Sequence, residues 1–152
     1  MSGEVSIERV AAAVTFPLRQ RVLRPHETLA QMALPGDDDP EAGHFAAVVP
    51  DGAVVGTATV RREAPRWSPD ASDAWRVRGM ATAEGWRGCG VGARVLAEVI
   101  DHVSSHGGGL LWANVRLPAV DFYRRAGFDR RGEPWDDPDI GPHVAMWRRV
   151  SA

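Results

Sequence analysis

The chain has 152 residues, 44% hydrophobic and 25% charged, which suits one globular domain over residues 1–152 and excludes disordered and fibrous classes. A net charge of -2 exerts no bulk pull towards nucleic acid or an anionic membrane. One cysteine, Cys89, excludes an internal disulfide and a cysteine-rich zinc site, and all eighteen basic residues are arginines, with no lysine. No apolar run reaches spanning length, and "MSGEVSIERV" lacks a basic-then-apolar signal layout, so a soluble cytoplasmic protein is expected.

In chain order, "VTFPLRQRVLRP" spaces Phe16, Leu18, Val22 and Leu23 as a short helix before Pro25. "GDDDPEAG" reads as a loop, and "HFAAVV" and "AVVGTATVRR" flank Pro50-Asp51-Gly52 as a hairpin. "APRWSPDASD" reads as a further polar loop. "AWRVRGMA" reads as a strand with mixed faces. From Val91, the apolar residues Val95, Leu96, Val99, Ile100 and Val103 form one stripe of an amphipathic helix, with Arg94, Glu98, Asp101 and His102 off it. The helix ends at Gly107-Gly108-Gly109, and "LLWANV" follows as a buried strand. Pro118 opens a helix, "AVDFYRRAGF", which Gly127 closes as a left-handed cap. "EPWDDPDIGPH" reads as a solvated loop, with Asp136, Asp137 and Asp139 as a negative rim that could attract an amine. "PHVAMWRRV" is the final strand. The order helix, hairpin, strand, helix, strand, helix, strand gives a mixed α/β domain with one sheet.

Gly88, Gly90 and Gly92 alternate directly before the helix stripe. A helix N-terminus carries unpaired N–H groups and partial positive charge, and glycines let an anion approach them. Arg87 adds a fork of donors suited to phosphate. A phosphate cradle follows. A Walker-type loop is excluded by the absence of lysine. Gly88, Gly90 and Ala93 fit a dinucleotide fingerprint, but "GLLWANVRLP" lacks the ribose-binding acid and "AWRVRGMA" is too polar for a buried first strand. His102 and His106, four apart, suit a metal, but no third ligand has suggestive spacing, and no metal is expected.

"RGCGVG" (87–92) resembles the pyrophosphate loop of the GNAT superfamily of acyl-CoA-dependent N-acyltransferases. "AVDFYRRAGF" (119–128) resembles that family's later helix, with its tyrosine, basic residue and Gly-Phe ending. "LRQRVLRP" and "IGPHVAM" resemble segments of some bacterial members. The resemblance implies a twisted, mostly antiparallel sheet with a central, splayed parallel strand pair, flanked by helices. It implies acetyl transfer from acetyl-CoA to a small-molecule or peptide amine by direct attack in a ternary complex. It implies no nucleic-acid or membrane partner and leaves a homodimer open.

The family pattern assigns backbone contacts with the pantetheine arm to Met80, Ala81 and Thr82. It assigns the pyrophosphate to Arg87, Gly88, Cys89, Gly90, Val91 and Gly92. Cys89 falls at a freely varying position, so its backbone counts, and a buried structural or incidental thiol is expected. Asn114 would meet the pantetheine amides unless it serves as a turn former. Phe122 would pack beside the cofactor, and Arg125 would lie near its phosphates. Tyr123, the sole tyrosine, is the candidate general acid, protonated at neutral pH. An alkyl ammonium with a pKa of about 10.4 costs about 4 to 5 kcal/mol to deprotonate near pH 7. The strand "AWRVRGMA" lacks the glutamate that many members use as base. Glu63, Glu84, Glu133 and His143 are the candidates, with His143 preferred, or a water chain serves instead. Two rival functions are a non-catalytic acyl-CoA sensor and a dinucleotide-binding oxidoreductase.

Overall fold

The computed structural model describes residues 4–138 and 141–152. Among the described residues seven strands form one sheet: β1 (Ser6–Arg9), β2 (Gly43–Val48), β3 (Val54–Arg62), β4 (Ala74–Thr82), β5 (Gly109–Arg116), β6 (Asp129–Asp137) and β7 (Gly141–Val150). Their spatial order is β1-β2-β3-β4-β5-β7-β6. Every neighbouring pair is antiparallel except β4 and β5, which run parallel. The helices are α1 (Ala12–Leu23), α2 (Val91–Ser105) and α3 (Val120–Arg125). No helix among the described residues is long and apolar enough to cross a membrane.

Two strands escape the hydrophobic pattern. Ser6–Arg9 is a short, largely exposed edge strand, so it has no buried face to produce alternation. Asp129–Asp137 is exposed over almost its whole length, and the segment Glu133–Asp137, expected to be a solvated loop, is paired with β7. Its strand character comes from pairing with β7, not from burial. Asp139 of the expected negative rim lies outside the described residues.

The α2 stripe drives the main core. Val91, Val95, Leu96, Val99 and Val103 pack with Phe45, Val60, Trp75 and Val77 of the sheet. His102 corrects the sequence reading. It is 7% exposed, it meets the Phe45 and Trp75 rings edge-on, and its Nε2 donates to the Glu41 carbonyl at 2.7 Å. A histidine can join an apolar stripe once its polar tip has a backbone partner. Its ring also packs against His106, with centroids 4.2 Å apart.

Trp75 and Val77 belong to the α2-side core, so strand alternation turns Arg76 and Arg78 to the other layer, where α1 packs on β3 and β4. The β3–β4 register shifts between Thr57 and Thr59, opposite Gly79, whose φ is +63. The extra residue bends β4. Thr57 Oγ1 donates to the Gly79 carbonyl at 2.9 Å, and the Arg19 side chain crosses above Gly79. A Cβ at position 79 would stand 2.7 Å from Arg19 Nε. Gly79→Ala should therefore cost about 1–2 kcal/mol from the left-handed backbone alone. We expect its thermal midpoint to fall by about 2–8 °C; a calorimetric midpoint equal to the wild type's would show that the bend tolerates a side chain.

Candidate active site

β4 and β5 pair at only three positions, Ala74 with Leu110, Trp75 with Leu111 and Arg76 with Trp112. Beyond Arg76 the strands part. β4 continues to Thr82 along β3, while β5 continues to Arg116 along β7. The gap opens into a cleft of about 530 Å³, within the range of small-molecule sites. Its walls include Val77, Met80, Asn114, Phe122 and Tyr123, with α1 and the β6–β7 hairpin closing the far side.

The glycine loop leads from the C-terminal end of β4 into α2. Gly88 and Gly90 have φ of +76 and +80, and a Cβ on either would meet nothing within 4 Å. Their glycine requirement is thus conformational, and the space above them is open. Gly92 differs: its Cβ would lie 3.1 Å from Phe122 and 3.4 Å from Thr82 Oγ1, so close packing keeps it bare and joins the loop to the cleft. The first turn of α2 has no capping side chain and no acidic residue. Arg87 is exposed, its Nε donating to the Thr82 carbonyl at 3.4 Å. The donor set, open glycines and uncapped helix start fit a pyrophosphate group.

Of the sequence-predicted site residues, Met80, Asn114, Phe122, Tyr123 and His143 line the cleft. Ala81 is buried and Thr82 is part of the β3–β4 ladder. Cys89 is exposed, which corrects the expected burial. Arg125 is exposed in the last turn of α3. Asn114 is no turn residue: β5 runs two residues beyond it, and it pairs with Ala145.

Tyr123 is 5% exposed, with the Phe122 and Phe128 rings each 5.2 Å away and edge-on. Burial pushes its hydroxyl above the usual phenol range, so it stays protonated at neutral pH. His143 is 5% exposed and stacks on Trp135 at 5.9 Å. Its Nδ1 lies 2.8 Å from the Gly141 carbonyl. A carbonyl only accepts, so Nδ1 carries the proton, and in the neutral ring Nε2 keeps its lone pair. Of the other proposed bases, Glu63 is engaged by Arg61 at 2.6 Å and Arg76 at 2.9 Å, and neither it, Glu84 nor Glu133 lines the cleft.

Sequence reading missed the charged wall: Arg19, Arg24, Arg76, Arg78, Arg116 and Glu27 all line the cleft. The i, i+2 arginines in "AWRVRGMA" were the available signal, since a strand at the centre of a sheet has no bulk solvent to receive them. Burial lowers the Arg19 guanidinium. Burial, then the Arg76 charge, brings Arg78 down to about 10, still cationic at neutral pH. Among the described residues no group of three histidine, cysteine or acidic side chains could hold a metal.

A sheet parted beside a glycine-opened helix defines a cleft that suits an extended ligand with an anionic end. The sequence profile of the acetyltransferase (GNAT) family matches residues 11–128, and the chain belongs to that family. It is 29% identical over 146 residues to the uncharacterized N-acetyltransferase YitI of Bacillus subtilis, covering 96% of this chain and 97% of that protein. It is 33% identical over 94 residues to a streptothricin acetyltransferase of Streptomyces lavendulae, covering 60% of this chain and 47% of that protein. Its fold matches a phosphinothricin acetyltransferase from Sinorhizobium meliloti in complex with AcCoA, with a TM-score of 0.76 at 17% identity over 97% of this chain and 89% of that one. The chain is an N-acetyltransferase by class. The comparisons favour neither the oxidoreductase nor the sensor reading.

Because Tyr123 is the sole tyrosine, phenolate absorbance reports it alone. Its raised native pKa means that the unfolded chain loses the proton first, near pH 10. The native state then holds more protons than the unfolded one, so this group's contribution to stability falls as pH rises above about 10. We expect no phenolate signal in the native protein through the ordinary phenol range and its appearance together with unfolding; a native titration near pH 10 would contradict the burial.

Proposed function

We propose that this enzyme binds acetyl-CoA along the parted edges of β4 and β5 and transfers its acetyl group directly to an amine in a ternary complex. The observation that carries this reading is the loss of β4–β5 pairing beyond Arg76, directly beside the open glycine loop. The backbone of Met80, Ala81 and Thr82 holds the pantetheine arm, with Asn114 and Phe122 across the gap. The N–H groups of Arg87 to Gly92 hold the pyrophosphate, and Arg125 supports the phosphates. The co-substrate supplies an acetyl group activated as a thioester.

His143 Nε2 takes a proton from the incoming ammonium, because its Nδ1 is committed to the Gly141 carbonyl. Tyr123 donates a hydrogen bond to the departing sulfur. Since burial makes its proton harder to surrender, it stabilises the leaving thiolate chiefly by hydrogen bonding. Direct attack needs no covalent enzyme intermediate, so Cys89, exposed on the glycine loop, has no nucleophilic role in this scheme.

At 100 times its dissociation constant, acetyl-CoA adds about 2.7 kcal/mol of stability, raising the thermal midpoint by roughly 5–11 °C. NAD should give no such shift; a missing shift at millimolar acetyl-CoA would remove the basis of this reading. In coenzyme A release assays across an amine panel, Tyr123→Phe and His143→Gln should each lower kcat by about a hundredfold or more while keeping the acetyl-CoA shift. Full activity in either variant would remove that residue from the chemistry.

A further inference from the structure

Positive charge dominates the α1 side of the cleft, and most of it is already matched. Arg76 binds Glu63 at 2.9 Å and stacks on Trp112. Arg24 lies 3.9 Å from Glu27. Arg116 donates to the Leu23 carbonyl at 3.0 Å, and Arg19 donates to the Met32 carbonyl and Thr15 Oγ1, each at 3.3 Å. Arg78 is different. Among the described residues no carboxylate lies within ion-pair distance of it: it is half-buried in the cleft wall, the nearby Arg76, Arg61 and Arg19 charges oppose it, and the one carboxylate whose field favours it, Glu63, is bonded to Arg61 and Arg76. A half-buried guanidinium among like charges is costly to hold without a counter-ion. It stands in the cleft wall directly before the Gly79 bend, on the strand face turned to α1.

We propose that the acceptor amine carries an anionic group, a carboxylate or phosphorus oxyacid, that docks on Arg78. The inference rests on the acetyl-transfer reading for its amine. A guanidinium presents a planar fork that such anions match in two parallel bonds. The coenzyme's pyrophosphate has its own donors at the glycine loop, beyond the C-terminal end of β4, and Arg78 faces the α1 side of the cleft, so the anion at Arg78 belongs to the acceptor.

The test pairs calorimetry with turnover. N-acetyl-L-amino acids and N-acetyl aminophosphonates, which resemble the product, are titrated against their neutral amide or ester counterparts. The parent amines are compared in coenzyme A release. We expect at least one anionic member to bind and turn over about tenfold better than its neutral counterpart, as a charge-assisted hydrogen bond predicts. Arg78→Gln should cut that ratio below about threefold, and Arg78→Lys should retain part of it. Since Arg78→Gln relieves like-charge crowding, its thermal midpoint should not fall. The proposal is overturned if neutral or polycationic amines are preferred, or if the anion preference survives Arg78→Gln. It is also overturned if Arg78→Gln abolishes the acetyl-CoA thermal shift, which would assign the anion to the coenzyme. Failure of every amine, anionic or neutral, to promote coenzyme A release would sink the acetyl-transfer reading, while the calorimetric ratio still decides the anion subsite.

Discussion

The structure turns on one interrupted ladder. β4 and β5 hold each other for three residue pairs and then separate, because each is drawn away by its antiparallel neighbour on the other side. Parallel pairing is slightly weaker per residue than antiparallel pairing, so this is the joint where a sheet opens at least cost. The Gly79 bend adds curvature at the point of parting. Main-chain donors and acceptors that would otherwise close a sheet are left facing a cleft. An extended amide-bearing ligand can complete them, as an added strand would.

The rest of the molecule serves that opening. α2 anchors β2, β3 and β4 through its valine and leucine stripe, and the same helix begins at the glycine loop. Gly92 packing on Phe122 ties the phosphate end to α3, which carries Tyr123. The long β6–β7 hairpin brings His143 and Trp135 to the cleft from the opposite edge. The glycine loop, Tyr123 and His143, to which the proposed mechanism gives phosphate binding, leaving-group stabilisation and proton removal, thus come from three elements far apart in the chain.

How much of this was legible depended on whether a residue's role was local. The 3.6-residue stripe of α2, the Pro50-Asp51-Gly52 hairpin and the Gly127 cap each follow from neighbours in sequence, and each is present. The loop glycines were legible as an open strand-to-helix turn, although the structure divides their duties between left-handed backbone and close packing. β1 and β6 were not legible, since an exposed strand has no buried face to set a period. His102 was misjudged because the Glu41 carbonyl that receives its ring proton lies 61 residues away.

By itself, then, the sequence determined the kind of fold, the run of loop glycines before α2, the sole tyrosine and the absence of lysine, because these reside in composition and short-range spacing. Only the tertiary structure decided which candidate base faces the cleft. His143 and Glu63 are both plausible on chemistry, but Glu63 is consumed by Arg61 and Arg76, while His143 is held with one nitrogen turned to a carbonyl. Likewise, only the sheet could set Arg78 beside other guanidiniums while the neighbouring carboxylate, Glu63, is bonded to Arg61 and Arg76. Charge balance at a site depends on residues from several strands and helices at once, and long-range pairing alone brings them within Coulombic reach.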